Sequence, residues 1–198
     1  MRIIGIDPGL TRCGVGIVTA GLSRKVTFEH VEVLTSSAGD PLPERLHRIG
    51  TGIRRLLDGE KPAGIALERV FAQDNLPSVM GVAQISGVVM FLAAERGIPV
   101  SLYTPNEVKA QVTGYGAAEK AQVTTMVTRL LGLAAPPKPA DAADALALAI
   151  THAWHLGRGG SASRMERFEL DAAPGETPAQ RAWREAEAKL GRRRGARS

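Results

Sequence analysis

RIIGIDPGLTRCGVGIV, residues 2–18, is the stretch on which the reading of the fold turns. Two apolar runs rich in β-branched residues flank a Pro8-Gly9 turn, so the pair reads as a β-hairpin. Asp7 falls where the first strand ends, after Ile3, Ile4 and Ile6. That puts a carboxylate at the edge of a buried sheet, where ligands of α/β folds bind. The glycines at positions 5, 9, 14 and 16 are expected to leave backbone open around this acid, so that a phosphate or metal-bound phosphate can approach. Asp-Pro-Gly is equally an ordinary turn, in which Asp bonds its own backbone and Pro presets the next dihedral. The choice depends on whether other acids join Asp7.

Composition bounds what the chain can be. With 198 residues, 44% of them hydrophobic, it can bury one good core, which predicts a single domain plus an extension. The one cysteine, Cys13, excludes a disulfide framework and a Cys-based zinc site and fits a reducing compartment. Its plainest role is that of a small buried hydrophobe beside the hairpin turn. No secretory signal pattern precedes the first strand and no apolar run is long enough to span a membrane, so a cytoplasmic protein without membrane contact is expected. Residues 1–156 hold 15 Lys/Arg against 14 Asp/Glu, and residues 157–198 hold 10 against 6, so most of the net +5 lies in the tail. A near-neutral body argues only weakly for nucleic acid. If four of its acids gather around divalent metal, the rest of its surface is distinctly basic.

After the hairpin, KVTFEHVEVLT (residues 25–35) alternates partly and reads as a third, half-exposed antiparallel strand. Residues 41–57 space Leu42, Leu46, Ile49, Ile53 and Leu56 by threes and fours, an amphipathic helix with its arginines outward. GIALERV (64–70) is a short apolar strand interrupted by Glu68, which is either held for chemistry or paired with Arg69. Phe71 follows in a polar loop, as a base-stacking side chain or as a lid folded back on the core. Asn75 or Ser78 can cap the next helix, which runs to about Arg96 and is apolar on most sides; burial from two directions is expected, under the sheet and against a second subunit. Ile98–Tyr103 is a further strand, Pro105 opens a short helix carrying Glu107 and Lys109, and Gly114-Tyr115-Gly116 leads into a helix over 118–133. That loop is either a phosphate-binding feature or a plain helix connection. Lys109 and Lys120 matter only if the fold brings them to the acids.

AAPPKP (134–139) then breaks the chain before Asp141 and Asp144, three apart and so on one face of an alanine-rich helix ending near Trp154. Locally the pair reads as a helix cap, Asp141 preceding the helix and Asp144 favouring its dipole. From residue 157 the composition turns to Gly, Ser, Ala and Arg, which predicts a mostly disordered basic tail that adds non-specific DNA affinity or a contact site, or is an inert solubilising extension.

Jointly, Asp7, Glu68, Asp141 and Asp144 are four hard oxygen ligands with no His or Cys competing. Such a set suits two magnesium or manganese ions a few ångströms apart, the arrangement that activates water in phosphodiester hydrolysis. GIDPG (5–9), ALERVF (66–71), AEK (118–120) and ADAADALA (140–147) resemble, in order and separation, the motifs of RuvC, the bacterial Holliday-junction resolvase family. The resemblance covers residues 1–156. It implies an α/β, RNase H-like fold, with a mixed five-stranded sheet and helices on both faces. It implies a homodimeric crossover junction endodeoxyribonuclease that resolves four-way DNA junctions by paired symmetric nicks, leaving 5′-phosphate ends, in recombination and repair. Cooperation with the RuvA–RuvB branch-migration complex is implied as well. By motif, Asp7, Glu68, Asp141 and Asp144 are similar to the ligands of two Mg²⁺ ions, replaceable by Mn²⁺. Lys109 and Lys120 are similar to the basic residues near the scissile phosphate, and Phe71 to the aromatic that stacks on a base at the junction centre. Arg69 departs from a Gln-like position in the family, which bears on DNA contacts.

Three alternatives remain at this stage. The hairpin also resembles the phosphate-binding hairpin of actin-like ATPases and sugar kinases, which need two such domains. A junction-binding protein without catalysis would have degenerate ligands, whereas all four acids are intact. An RNA-directed nuclease of the same fold is compatible with the fold alone.

Overall fold

The structure, a computed structural model, describes residues 1–69 and 76–156. The opening stretch forms the expected hairpin, β1 (Arg2–Asp7) and β2 (Arg12–Ala20), and β3 (Val26–Thr35) extends it antiparallel. On the other side of β1, β4 (Gly64–Glu68) and β5 (Val100–Tyr103) add in parallel, giving the sheet order β3-β2-β1-β4-β5. This is the mixed five-stranded sheet that the motifs imply. The helices are α1 (Leu42–Glu60), α2 (Leu76–Ala94), α3 (Pro105–Thr113), α4 (Lys120–Leu130) and α5 (Ala140–Leu156). Among the described residues no helix is long and apolar enough to cross a membrane.

Period-two alternation divides the core between the two faces of the sheet. Ile4, Ile6, Val15, Ile17, Ile65 and Leu67 point to one face, where α1 and α2 cover them with Ile49, Ile53, Ile85 and Val89. Ile3, Val18 and Ala66 point to the other, under α5, with α3 and α4 contributing Val108, Val112, Val123 and Val127. Each fully buried Ile or Leu contributes about 1.5–3 kcal/mol, so both layers are needed to hold the sheet. α2 buries Ile85, Val89, Leu92 and Ala93, while Met80 and Phe91 remain 52% and 60% exposed, so one of its two expected apolar contacts is made within the chain.

Two expectations are overturned. Gly5, Gly14 and Gly16 are not open to a ligand, because α5 lies directly on them, and Gly9 in the turn faces the Arg12 carbonyl. A Cβ at Gly5 would overlap the Ala145 carbonyl oxygen and lie 2.5 Å from the Ala149 nitrogen; one at Gly16 would lie 2.7 Å from the Leu146 nitrogen. Nor is Asp141 a helix cap. The Ala142 N–H already donates to the Pro139 carbonyl at 3.0 Å, the helix starts at Ala140, and Asp141 sits inside its first turn. At the helix preceding it, α4 starts at Lys120 and not at Ala118, because Glu119 takes the N-cap and its N–H donates to Gln122 Oε1 at 2.8 Å. Gly114, at φ +83°, closes α3, so the 114–116 loop is a helix connection in a conformation that favours glycine. α2 starts at Leu76, so Ser78 lies within the helix; Asn75 and Phe71 lie outside the described residues.

Replacing Gly5 by Ala is expected to cost on the order of 1–3 kcal/mol or more in a urea melt, because backbone and not a flexible side chain blocks the added methyl. Gly59→Ala in α1, where a Cβ meets nothing within 4 Å, is the matched control and should stabilise by up to about 1 kcal/mol.

Candidate active site

The site follows from strand register. On β1, Gly5 and Asp7 share the face that α5 covers; on the neighbouring parallel strand, Gly64, Ala66 and Glu68 share the same face. Ile3 pairs with Gly64 and Gly5 with Ala66, so two residues further along Asp7 stands beside Glu68 at the carboxyl ends of adjacent strands. Across the hairpin Asp7 pairs with Gly14, and a Cβ on Gly14 would overlap the Asp141 carbonyl oxygen. The first turn of α5 is therefore seated above Asp7, and Asp144 follows three residues on.

Electrostatics show that these acids sense one another. Burial, then the charges of Glu68, Asp144 and Asp141, push Asp7 up to about 7, with Lys120 opposing. Glu68 is also raised, by burial first and then by Asp144, against the pull of Lys120 and Lys109. The Asp144 charge contributes to that shift after burial, so Glu68 senses the acid at the start of α5. Lys120 opens α4 and places Nζ 3.3 Å from Asp144 Oδ2; the Asp144 charge is the main reason its own pKa is raised. Lys109 is carried by α3, whose start is held by reciprocal bonds: the Thr104 N–H donates to Glu107 Oε2 at 2.7 Å and the Glu107 N–H to Thr104 Oγ1 at 3.2 Å. Glu107 is thus structural. Six of the seven sequence-predicted residues come together in this way, and Phe71 lies outside the described residues.

One neighbour was not predicted. Arg12, the first residue of β2, places Nε 3.1 Å from Asp141 Oδ2. Hairpin parity could have found it, since Arg12 and Gly14 share a face and Gly14 pairs with Asp7. Cys13, on the opposite face, is fully buried and its thiol is pushed up to about 12, chiefly by burial, so it is an inert core residue. His152, further along α5, is buried and pushed down to about 4 by burial; its Nδ1 lies 2.8 Å from the Tyr103 hydroxyl, a packing role away from the acids.

The cluster fits a hard divalent cation. All four donors are carboxylates, and Asp141 Oδ2 is buried without a hydrogen-bond partner, since the Arg12 approach has ion-pair but not hydrogen-bond geometry. Among the described residues, no three His, Cys, Asp or Glu side chains are already drawn together as a metal cage. Like charges favour that spacing. A doubly charged cation would offset the repulsion that raises Asp7 and Glu68.

The family model described as "Crossover junction endodeoxyribonuclease RuvC" matches residues 3–152. A crossover junction endodeoxyribonuclease RuvC of Leifsonia xyli subsp. xyli is 56% identical over 194 residues, covering 94% of this chain and 92% of that one. The structure of T. thermophilus RuvC in complex with a Holliday junction substrate superposes with a TM-score of 0.77 at 37% identity, covering 81% of this chain and 97% of that one. The yeast mitochondrial Holliday junction resolvase Ydc2, at 17% identity and a TM-score of 0.58 over 81% of each chain, shares the fold.

The Asp7 shift has a sign that can be measured. Folded Asp7 holds its proton to about pH 7, whereas a free Asp releases it near 3.8, so the folded state binds more protons between those values. Stability in chelator should therefore fall as pH rises through that window and level off above it. Asp7→Asn removes the penalty. In urea melts with EDTA its advantage over wild type should be near zero at the low end and grow to a few kcal/mol by pH 8. An advantage that does not change with pH would take Asp7 out of a buried acid cluster.

Proposed function

The chain belongs to the RuvC family of crossover junction endodeoxyribonucleases, and from that membership we infer that it resolves Holliday junctions by hydrolysing phosphodiester bonds. The observation that carries the reading to specific residues is geometric: parallel register sets Asp7 beside Glu68, and Gly14, which pairs with Asp7 across the hairpin, packs against the Asp141 carbonyl at the start of α5. Asp7, Glu68, Asp141 and Asp144 would hold the divalent metal that the family requires, as ligands of two Mg²⁺ ions with Mn²⁺ as a substitute. When bound, such ions activate the attacking water and shield charge on the departing 3′ oxygen. The remaining work falls to the chain. The strand ends fix Asp7 and Glu68, and the glycine contact fixes Asp141 and Asp144 relative to them. Lys120 and Lys109 bring positive charge to the phosphate, where negative charge builds up in the transition state. Phe71 stacks on a base at the junction centre.

The nuclease domain spans residues 1–156, and the basic stretch 157–198 adds salt-sensitive, sequence-independent DNA affinity. The enzyme acts as a cytoplasmic homodimer. Two symmetric nicks require two sites, and the exposed Met80 and Phe91 of α2 offer an apolar face for the second subunit. RuvA and RuvB are its branch-migration partners. Family membership sets aside the two-domain ATPase alternative.

The direct test is cleavage of a mobile four-way DNA junction with Mg²⁺ and with chelator, beside linear duplex and an RNA–DNA hybrid. Paired nicks only in the junction with metal are expected. Cutting of the hybrid alone would overturn the substrate, and junction binding without nicks would favour a purely structural protein. Within that assay, Asp7→Asn should keep junction affinity and lose nicking. Lys120→Ala should lower the single-turnover rate by on the order of 10²–10³, as expected for removing one charge-stabilising donor.

A further inference from the structure

Arg12 stands outside the carboxylate set yet touches it. Its side chain is 60% exposed and that of Asp141 20%, so the guanidinium reaches in from the rim toward a sheltered oxygen. That oxygen, Oδ2, is buried and has no hydrogen-bond partner. The turn carrying Arg12 is held from α1, where Arg45 Nη2 donates to Thr11 Oγ1 at 2.8 Å. A planar, weakly hydrated guanidinium can sit against a carboxylate without a full hydrogen bond. A divalent cation, with twice the charge and an oxygen-ligand distance well under 3 Å, outcompetes it on the same oxygen.

We propose that Arg12 is a positioning residue that holds Asp141 Oδ2 as a provisional counter-ion and is displaced when a divalent cation takes that oxygen. This rests on Asp141 being a metal ligand. The ion pair steadies an acid that would otherwise face the Asp7, Glu68 and Asp144 charges alone, and its exposure keeps it weak enough to yield. The same interaction is present before metal binds and absent afterwards, so its loss must appear twice with opposite signs.

The test is Mn²⁺ binding to the full chain without DNA, followed by electron paramagnetic resonance of the free ion, together with thermal melts in EDTA and at saturating Mn²⁺. Arg12→Gln should tighten Mn²⁺ binding by about two- to five-fold, the range of a partly exposed ion pair. It should also lower Tm in EDTA, with the difference closing at saturation. Arg55→Gln, which removes a surface charge that pairs with Glu32 and touches neither Asp141 nor the Arg12 turn, should bind Mn²⁺ like wild type. Unchanged or weaker binding by Arg12→Gln, or equal tightening by Arg55→Gln, overturns the proposal while Asp141→Asn still weakens binding. If Asp141→Asn binds Mn²⁺ as wild type does, the ligand assignment falls and the proposal with it.

Discussion

The close contact between the glycine-lined face of β1 and β2 and the alanine-rich helix α5 is the constraint on which the rest of the molecule depends. Where a side chain would normally separate sheet from helix, Gly5, Gly14 and Gly16 let the backbone of α5 come down onto the strands. Ala145 and Ala149 keep the helix side equally thin. Because the contact is backbone against backbone, it leaves little freedom to slide, and it seats the first turn of α5 over the end of β1. Two elements more than a hundred residues apart in sequence are thereby held in a fixed relation at the point where three of the four acids lie.

That geometry has an electrostatic cost. Burial and the neighbouring charges of this half-buried acid set raise the pKa of Asp7 and Glu68, which is unfavourable for folding at neutral pH. Lys120, Lys109 and Arg12 offset part of it from the rim, each from a different element: the start of α4, the middle of α3 and the start of β2. A core that served stability alone would hold apolar residues in these positions, as the opposite face of the sheet does with Ile4, Ile6, Ile65 and Leu67. The two faces thus divide the tasks. One is a conventional hydrophobic layer, and the other combines a dense small-residue contact with a charged edge.

Local signals misled in two places, for the same physical reason. Glycine beside an acid is compatible with a ligand approaching the backbone or with a helix doing so, and the sequence carries no information on which one fills the space. Asp141 and Asp144 near a chain break satisfy the rules for a helix cap, because a cap is decided by neighbouring residues alone. Their actual position, in the first turn of α5 and just after it, beside Asp7, depends on a contact with β2. The exposed apolar residues of α2 show the same limit, since an apolar helix face does not say whether its cover comes from the same chain.

The sequence by itself determined the hairpin, the alternation that separates the two faces, the helix-sheet order, and four motifs specific enough to identify the family. These are carried by residue type and short-range spacing. Only the tertiary structure decided that Asp7 and Glu68 stand side by side through parallel register, that the glycines admit α5 and not a ligand, and that Lys120, Lys109 and Arg12 reach the acids. Each of these is a contact between residues distant in sequence or across a turn. Proximity of that kind is set by how the elements pack, which no local pattern of residue types specifies.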